Sequence, residues 1–287
     1  MKRILIASFV FLIAGSMSAQ EVGLFRGYGV ESPAGPWRFD AVISNYRPDT
    51  FVDRNHDAIR FPGDLSFDRA EMRLSRRLFE NLSVGVTVPY RRSYLESSEL
   101  TASYVASGVP GVGVFFDWNP RRTFRRFSPS FRLDYFRPGT GGDQPITIND
   151  DIRTVTGSLD LRSTRPMTAA DLRVAAMGRL QYGFRHETAP RYVAVDLLAA
   201  SGPRIATWRG SSLFLSAVAG VHGGTAARQE GNFFANRNAH GAIGGVMLSA
   251  APRGSLRDSL TLSLTRDFAV KNGLRGWRAT IGFHRSF

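Results

Sequence analysis

Arginine and carboxylate side chains recur at every second position along several stretches of this chain, the spacing that places them together on one face of a β-strand. Glu71, Arg73 and Arg77 alternate with Ala70, Met72 and Leu74, while Arg132 and Asp134 alternate with Phe131, Leu133 and Tyr135. Arg173, Arg179 and Arg185 lie opposite Val174, Ala176, Leu180, Tyr182 and Phe184. Arg91, Asp117, Asp160, Arg162, Gln181, Arg278 and His284 fall on polar faces of the same kind. Guanidinium groups meeting carboxylates in an enclosed space can do two things. They can pair into a lattice that fills the space, or, where they outnumber the carboxylates, they can draw anions through it. Both chemistries remain open on these residues.

Catalysis and metal binding find less support. The five histidines are His56, His186, His222, His240 and His284, of which His222 and His240 flank one long connection with Ser216 and Ser249 farther along the adjoining segments. No hydroxyl, base and orienting acid stand at a recognisable spacing. Two histidines are too few for a metal centre, and Asp53, Asp57, Asp143, Asp150 and Asp151 lack the spacing of a calcium loop. The chain has no cysteine. The expectation is therefore no enzyme, no metal and no cofactor.

Strands must position these side chains. Besides those segments, Leu82, Val84, Val86, Val88 and Tyr90 alternate with Ser83, Gly85, Thr87, Pro89 and Arg91, and Leu260, Leu262 and Leu264 alternate with Ser259, Thr261, Ser263 and Thr265. Collecting the segments predicts about twelve strands, starting near residues 37, 65, 82, 111, 127, 153, 172, 191, 211, 239, 257 and 276. The connections alternate in length. Residues 47–63, 92–108, 138–151, 186–190, 225–238 and 269–275 form one set, mostly long and polar; the intervening turns are mostly short, as at Glu80-Asn81. A soluble sandwich has no reason to alternate in this way, whereas a transmembrane antiparallel up-and-down β-barrel does. Aromatics near segment ends (Tyr90, Trp118, Tyr135, Tyr182, Trp208, Trp277) fit interfacial girdles.

The first residues predict export. Lys2 and Arg3 precede an apolar run of 11 residues, Ile4 to Ala14, and small residues follow up to Ala19. The run is shorter than the roughly 20 residues a membrane helix needs. Residues 1–19 read as a signal peptide, 20–36 as an irregular segment that either plugs the lumen or hangs free, and 37–287 as the barrel. Without the signal the chain carries 35 basic and 24 acidic residues, a formal charge of 35 − 24 = +11; the full sequence has only two lysines, Lys2 and Lys271. Nucleic acid is excluded as a partner by the expected compartment. Arg121, Arg122, Arg125, Arg126, Arg165, Arg204, Arg209 and Arg253 fall in the short turns, where anionic lipid head groups would meet them.

Trp277, Ile281, Phe283 and Phe287 alternate to the last residue, and this pattern resembles the C-terminal recognition strand of outer-membrane barrels. The resemblance implies that the barrel-insertion machinery reads it. Arg285 departs from the pattern, standing where an apolar residue is usual. Three further stretches, 32–37, 78–90 and 108–113, are similar to a porin-like group named for the meta-pathway of phenol degradation. Gly111-Val112 replaces the Gly-Asp frequent there. That resemblance implies a passive channel for small molecules, hydrophobic ones among them, and transfers no catalytic residue. The expectation is a Gram-negative outer-membrane barrel with both termini periplasmic, surrounded by outer-membrane lipids and lipopolysaccharide, that passes small solutes and favours anions. A non-conducting barrel filled by an arginine–carboxylate lattice is the alternative, and a lipid-modifying enzyme is third.

Overall fold

The computed structural model describes residues 35–53, 55, 57–60, 63–97, 103–120, 127–139, 153–163, 171–184, 191–226, 240–251, 258–271 and 273–287. The expected signal at 1–19, most of the irregular segment (20–34) and Arg185 lie outside them. In chain order the strands are β1 (Trp37–Val52), β2 (Ala58–Arg60), β3 (Gly63–Phe79), β4 (Leu82–Ser97), β5 (Tyr104–Gly108), β6 (Gly111–Trp118), β7 (Phe127–Pro138) and β8 (Thr154–Ser163). They continue with β9 (Arg173–Gly183), β10 (Tyr192–Gly202), β11 (Arg204–Trp208), β12 (Ser211–Ala226), β13 (His240–Ala251), β14 (Asp258–Lys271) and β15 (Gly273–Ser286).

These segments close into a twelve-stranded antiparallel β-barrel. Around the ring the order is β1, β3, β4, β6, β7, β8, β9, β10, β12, β13, β14, β15 and back to β1. The remaining three are extensions rather than staves. β2 pairs with Thr50–Val52 of β1 beyond the reach of β3, β5 with the upper part of β4 beyond β6, and β11 with the start of β12 beyond β10. Arg209 and Gly210, at φ of 46° and 76°, make the tight two-residue turn between β11 and β12.

Strand starts agree with the pattern-based expectation to within a few residues. The long connections differ. Much of 47–63, 92–108 and 269–275 is strand: β1 runs to Val52, β4 to Ser97, and β14 and β15 continue to Lys271 and from Gly273. Polar side chains on both faces made these stretches read as coil. A paired strand standing in water tolerates polar residues on both faces, because its ladder needs only backbone.

The two faces separate by chemistry. Ile43 is 58% exposed and Leu133 53% exposed on the outside, while Glu71 at 3% and Asp117 at 1% are buried within. Met72, Val86, Val114, Phe116, Leu180, Val246, Leu262 and Ile281 continue the outward apolar band. In water such a band would drive aggregation, whereas in hydrocarbon it costs nothing. Trp37, Trp118, Trp208 and Phe287 ring the rim where β1 begins, here the near rim; Tyr90, Tyr135, Phe184 and Trp277 lie nearer the far rim. Arg76 and Arg209 stack on Trp37 and Trp208, their Cζ atoms 5.5 and 5.0 Å from the ring centroids.

The ring closes between β1 and β15, with Arg38↔Ser286 at one end of the ladder and Val52↔Gly273 at the other. Trp37 and Phe287 exchange two backbone hydrogen bonds of 3.0 Å, and Arg77 N–H donates to the Pro36 carbonyl at 2.7 Å. Arg285 projects outward as expected for its parity and faces Asp258 across the ladder, 3.6 Å away. A nearby carboxylate thus accompanies the one charge in the terminal alternation.

The seam is tightest at Gly276, opposite Pro48, where the register shifts before Thr50. A Cβ at 276 would stand 2.3 Å from the Arg47 carbonyl oxygen and 2.4 Å from Pro48 Cα. Both obstacles are backbone, so Gly276→Val must part the strands. We expect this variant to lose roughly 1–3 kcal/mol or more of stability and to yield less heat-shifted barrel on unboiled gels, whereas Ile281→Ala on the outer face should fold normally. An unchanged folded fraction in Gly276→Val would refute this view of the seam.

Candidate functional site in the barrel lumen

Inward side chains divide the lumen into two arcs. The first spans β14, β15, β1, β3, β4, β6, β7 and β8 and is polar and densely charged. Glu71 on β3 accepts from Arg73 Nε at 2.6 Å and also from Arg69 Nη2. Arg132 on β7 donates through Nε and Nη2 to both oxygens of Asp117 on β6, at 2.6 and 2.7 Å. That bidentate geometry is the strongest a guanidinium offers. Arg38 donates to Asp40 at 3.1 Å, and His284 of β15 joins the same carboxylate through Nδ1. Tyr46 O–H donates to Asp267 of β14 at 2.6 Å, with Arg278 over the tyrosine ring at 4.6 Å.

Phe115 is the hub of this arc. It is fully buried, and the guanidiniums of Arg132 and Arg73 lie 4.5 and 5.6 Å from its ring centroid. A small neighbour makes room for the ring: a Cβ on Gly85 of β4 would sit 2.4 Å from Phe115 Cζ. Cation–π attraction strengthens when the partners are desolvated, so the ring adds favourable contact for charges already held by carboxylates.

The second arc is apolar. Ala175 and Met177 on β9, Leu198 and Ala200 on β10, Phe214 and Val218 on β12, and Ile243 and Met247 on β13 form one buried cluster. Met177 pairs directly with Leu198, and Leu198 leans over Gly220, which pairs with Ile243. The arcs meet along β9, whose inward face reads Arg173, Ala175, Met177, Arg179. Arg179 Nε donates to Asp196 on β10 at 3.1 Å, while Arg173 pairs with Asp171 at 2.8 Å and lies over Phe214.

Of the residues expected to line a lumen, Glu71, Arg73, Arg132, Asp160, Arg179 and Arg278 are buried inside, and Arg77, Arg91, Asp134, Arg162 and Arg173 are half-buried on the same face. Arg77 lies at the near rim, where its Nη2 donates to the Gly35 carbonyl at 3.2 Å. Trp277, Ile281 and Phe287 are exposed on the outer face, and Phe283 is half-buried there. Pattern reading missed the apolar arc, and it also passed over Phe115, Arg69, Asp40 and Asp196. The signal for the arc was present. β10 and β13 carry apolar residues at nearly every position rather than every second one, the mark of a strand buried on both faces.

His222 and His240 are not brought together: His222 pairs with Gly241 and His240 with Gly223, one rung apart, so the two side chains project from opposite faces of the sheet. Ser216 sits farther down β12, paired with Met247, and Ser249 lies opposite Phe214. The serines are thus separated from the histidines by several rungs of the ladder, and no group of three or more metal-ligating side chains occurs among the described residues.

No protein-family model and no curated protein matches the chain. Solved structures do. An outer-membrane channel from Pseudomonas putida F1 superposes with a TM-score of 0.67 at 14% identity, covering 91% of this chain and all of that one. The β domain of the Bordetella autotransporter BrkA gives a TM-score of 0.55 at 15% identity, over 88% of this chain and all of that domain. At such identities the likeness concerns the barrel fold.

The Arg132–Asp117 pair allows a direct test of the lattice. Asp117→Ala strands a buried guanidinium and should cost about 3–5 kcal/mol, read as a lower urea midpoint of the folded barrel. Arg132→Met combined with Asp117→Leu removes both charges and should restore most of that loss. A double variant as unstable as Asp117→Ala would contradict this account of the pair.

Proposed function

We propose that this chain is an outer-membrane channel for small solutes, with a narrow lumen that favours anions, and that it has no catalytic role. The carrying observation is a set of buried guanidinium nitrogens that donate to no partner, even on arginines whose other nitrogens meet carboxylates. Arg38 Nη2, Arg69 Nε, Arg162 Nη2 and Arg179 Nη2 are all buried without a hydrogen-bond partner. An unsatisfied charged donor inside a barrel is costly, and a passing anion relieves that cost, which is the basis of selectivity in arginine-lined pores.

The outward apolar band and aromatic rims support membrane insertion, and the likeness to the P. putida channel agrees with a passage through the barrel. We extend the reading to both termini in the periplasm, to assembly by the machinery that reads the pattern ending at Phe287, and to kinship with the phenol-pathway porin-like group through stretches 32–37, 78–90 and 108–113. A second reading has its own observation. Glu71, Asp117 and Asp196 are already paired with arginines, and a lattice complete enough would close the lumen and leave a structural barrel.

Conductance separates the two. In planar bilayers under a KCl gradient, the purified barrel should give small ohmic steps whose reversal potential marks chloride as the more permeant ion, and Arg179→Glu should move that potential toward potassium. Absence of current, or cation preference in the unmodified protein, would overturn the proposal in favour of the filled barrel.

A further inference from the structure

The outer face of the barrel carries a charged feature of its own. Arg266 on β14, Trp277 on β15 and Arg47 on β1 occupy one rung across three adjacent staves, the closing pair among them. Cross-strand partners share a face, so both arginines project outward with Trp277, which is exposed. The Arg266 guanidinium lies over the indole, its Cζ 5.1 Å from the ring centroid, and Arg47 is exposed on the other side of Trp277. Arg275, two residues along the same face of β15, adds a third guanidinium, whose Nε has no hydrogen-bond partner. Carboxylates answer this charge only in part. Asp49 lies 3.9 Å from Arg266 with both side chains 47% exposed, a separation and exposure at which an ion pair contributes little. Asp68 on β3 accepts from Asn45 at 2.6 Å and stands opposite Arg92.

The cluster sits at a definite height. Phe287 and Trp277 are ten residues apart, about 34 Å along a strand and roughly 26 Å along the membrane normal at the usual tilt. That span matches the apolar band of a barrel, about 25 Å tall between its aromatic girdles. Directly below Trp277 the outward rungs are apolar: Ala279 beside Leu264, then Ile281 between Leu262 and Ile43. Guanidiniums above and a hydrocarbon-facing wall below divide this strip at the level where the phosphates of a lipid meet its chains.

We propose that the strip binds one molecule of lipid A, the phosphorylated, multi-chain glycolipid that anchors lipopolysaccharide in the outer leaflet, with its phosphates on Arg47, Arg266 and Arg275 and its acyl chains along Leu264, Ile281 and Ile43. The assignment rests on the orientation argued under Proposed function, termini in the periplasm, which places the Trp277 rim at the outer leaflet; it is independent of what crosses the lumen. The forked donors of arginine make two parallel hydrogen bonds to a phosphate. Each arginine near an anionic head group adds to the attraction, so a ligand with two phosphates gains most from three neighbouring guanidiniums. A phospholipid with a single phosphate leaves part of the cluster unanswered.

Native mass spectrometry of the folded barrel, stripped of lipid in dodecyl maltoside, tests this. Bis-phosphorylated lipid A should form a one-to-one complex about tenfold or more tighter than phosphatidylglycerol. Arg47→Gln combined with Arg266→Gln should weaken lipid A about tenfold or more; should that pair not fold, Arg266→Gln alone should weaken it several-fold. Arg285→Gln, outward at the opposite rim beside Asp258, should leave lipid A binding unchanged. Phosphatidylglycerol binding as tightly as lipid A, absence of a lipid A complex, or binding indifferent to the Arg47 and Arg266 variants would overturn the proposal. Orientation is read separately. The chain has no cysteine, so Asp57→Cys beyond the far end of β1 should be labelled on intact cells by a membrane-impermeant maleimide, and no labelling would overturn the orientation and the lipid A assignment together. A barrel that binds lipid A through these arginines without conducting defeats the channel reading alone; one that conducts without binding lipid A defeats the lipid site alone.

Discussion

A strand in hydrocarbon can send its N–H and C=O groups only to another strand, so every stave needs two neighbours and the ring must close. In this chain the closing bond is β1 on β15, and much else follows from it. Closure fixes which parity faces inward on every strand, because a one-residue slip anywhere would turn arginines toward lipid. It also fixes the diameter. Twelve staves make an interior wider than side chains alone fill easily in an eight-stranded barrel and narrower than the open bore of a large porin. Long arginine side chains suit that intermediate width.

Burial then decides how those arginines behave. A guanidinium inside the ring must find a carboxylate, a ring face or an anion. Around Phe115 the first two are provided, through Asp117, Glu71 and the phenyl group itself. Around Arg69 and Arg179 the provision is incomplete. Unpartnered guanidinium nitrogens therefore occur at both levels, on Arg38 and Arg162 towards the near rim and on Arg69 and Arg179 deeper in the lumen.

The architecture was legible because its code is period two and the residues obey it. Leu82 to Tyr90 and Phe127 to Tyr135 alternate without ambiguity, and their neighbours in the ring are their neighbours in sequence, so twelve segments imply twelve staves. The lining arginines were legible for the same reason. The apolar arc was not, because β10, β12 and β13 depart from alternation and an apolar residue at an inward position looks the same as one facing lipid. Partner choice was equally hidden. Nothing in sequence spacing says that Asp117 meets Arg132 while Tyr46 meets Asp267 more than two hundred residues away, since both depend on register between staves.

Segregation of the arcs is itself informative. If packing alone governed the lumen, charged and apolar residues would be interspersed, since an ion pair gains by being surrounded with other polar groups on all sides. Instead the apolar side chains fall on four consecutive staves, β9 to β13, and face the charged staves across the bore. Lining a third of the bore with Met177, Leu198, Ile243 and Met247 lowers the local dielectric beside Arg179, two residues from Met177 on β9. Charges beside that wall interact more strongly than they would in an all-polar bore.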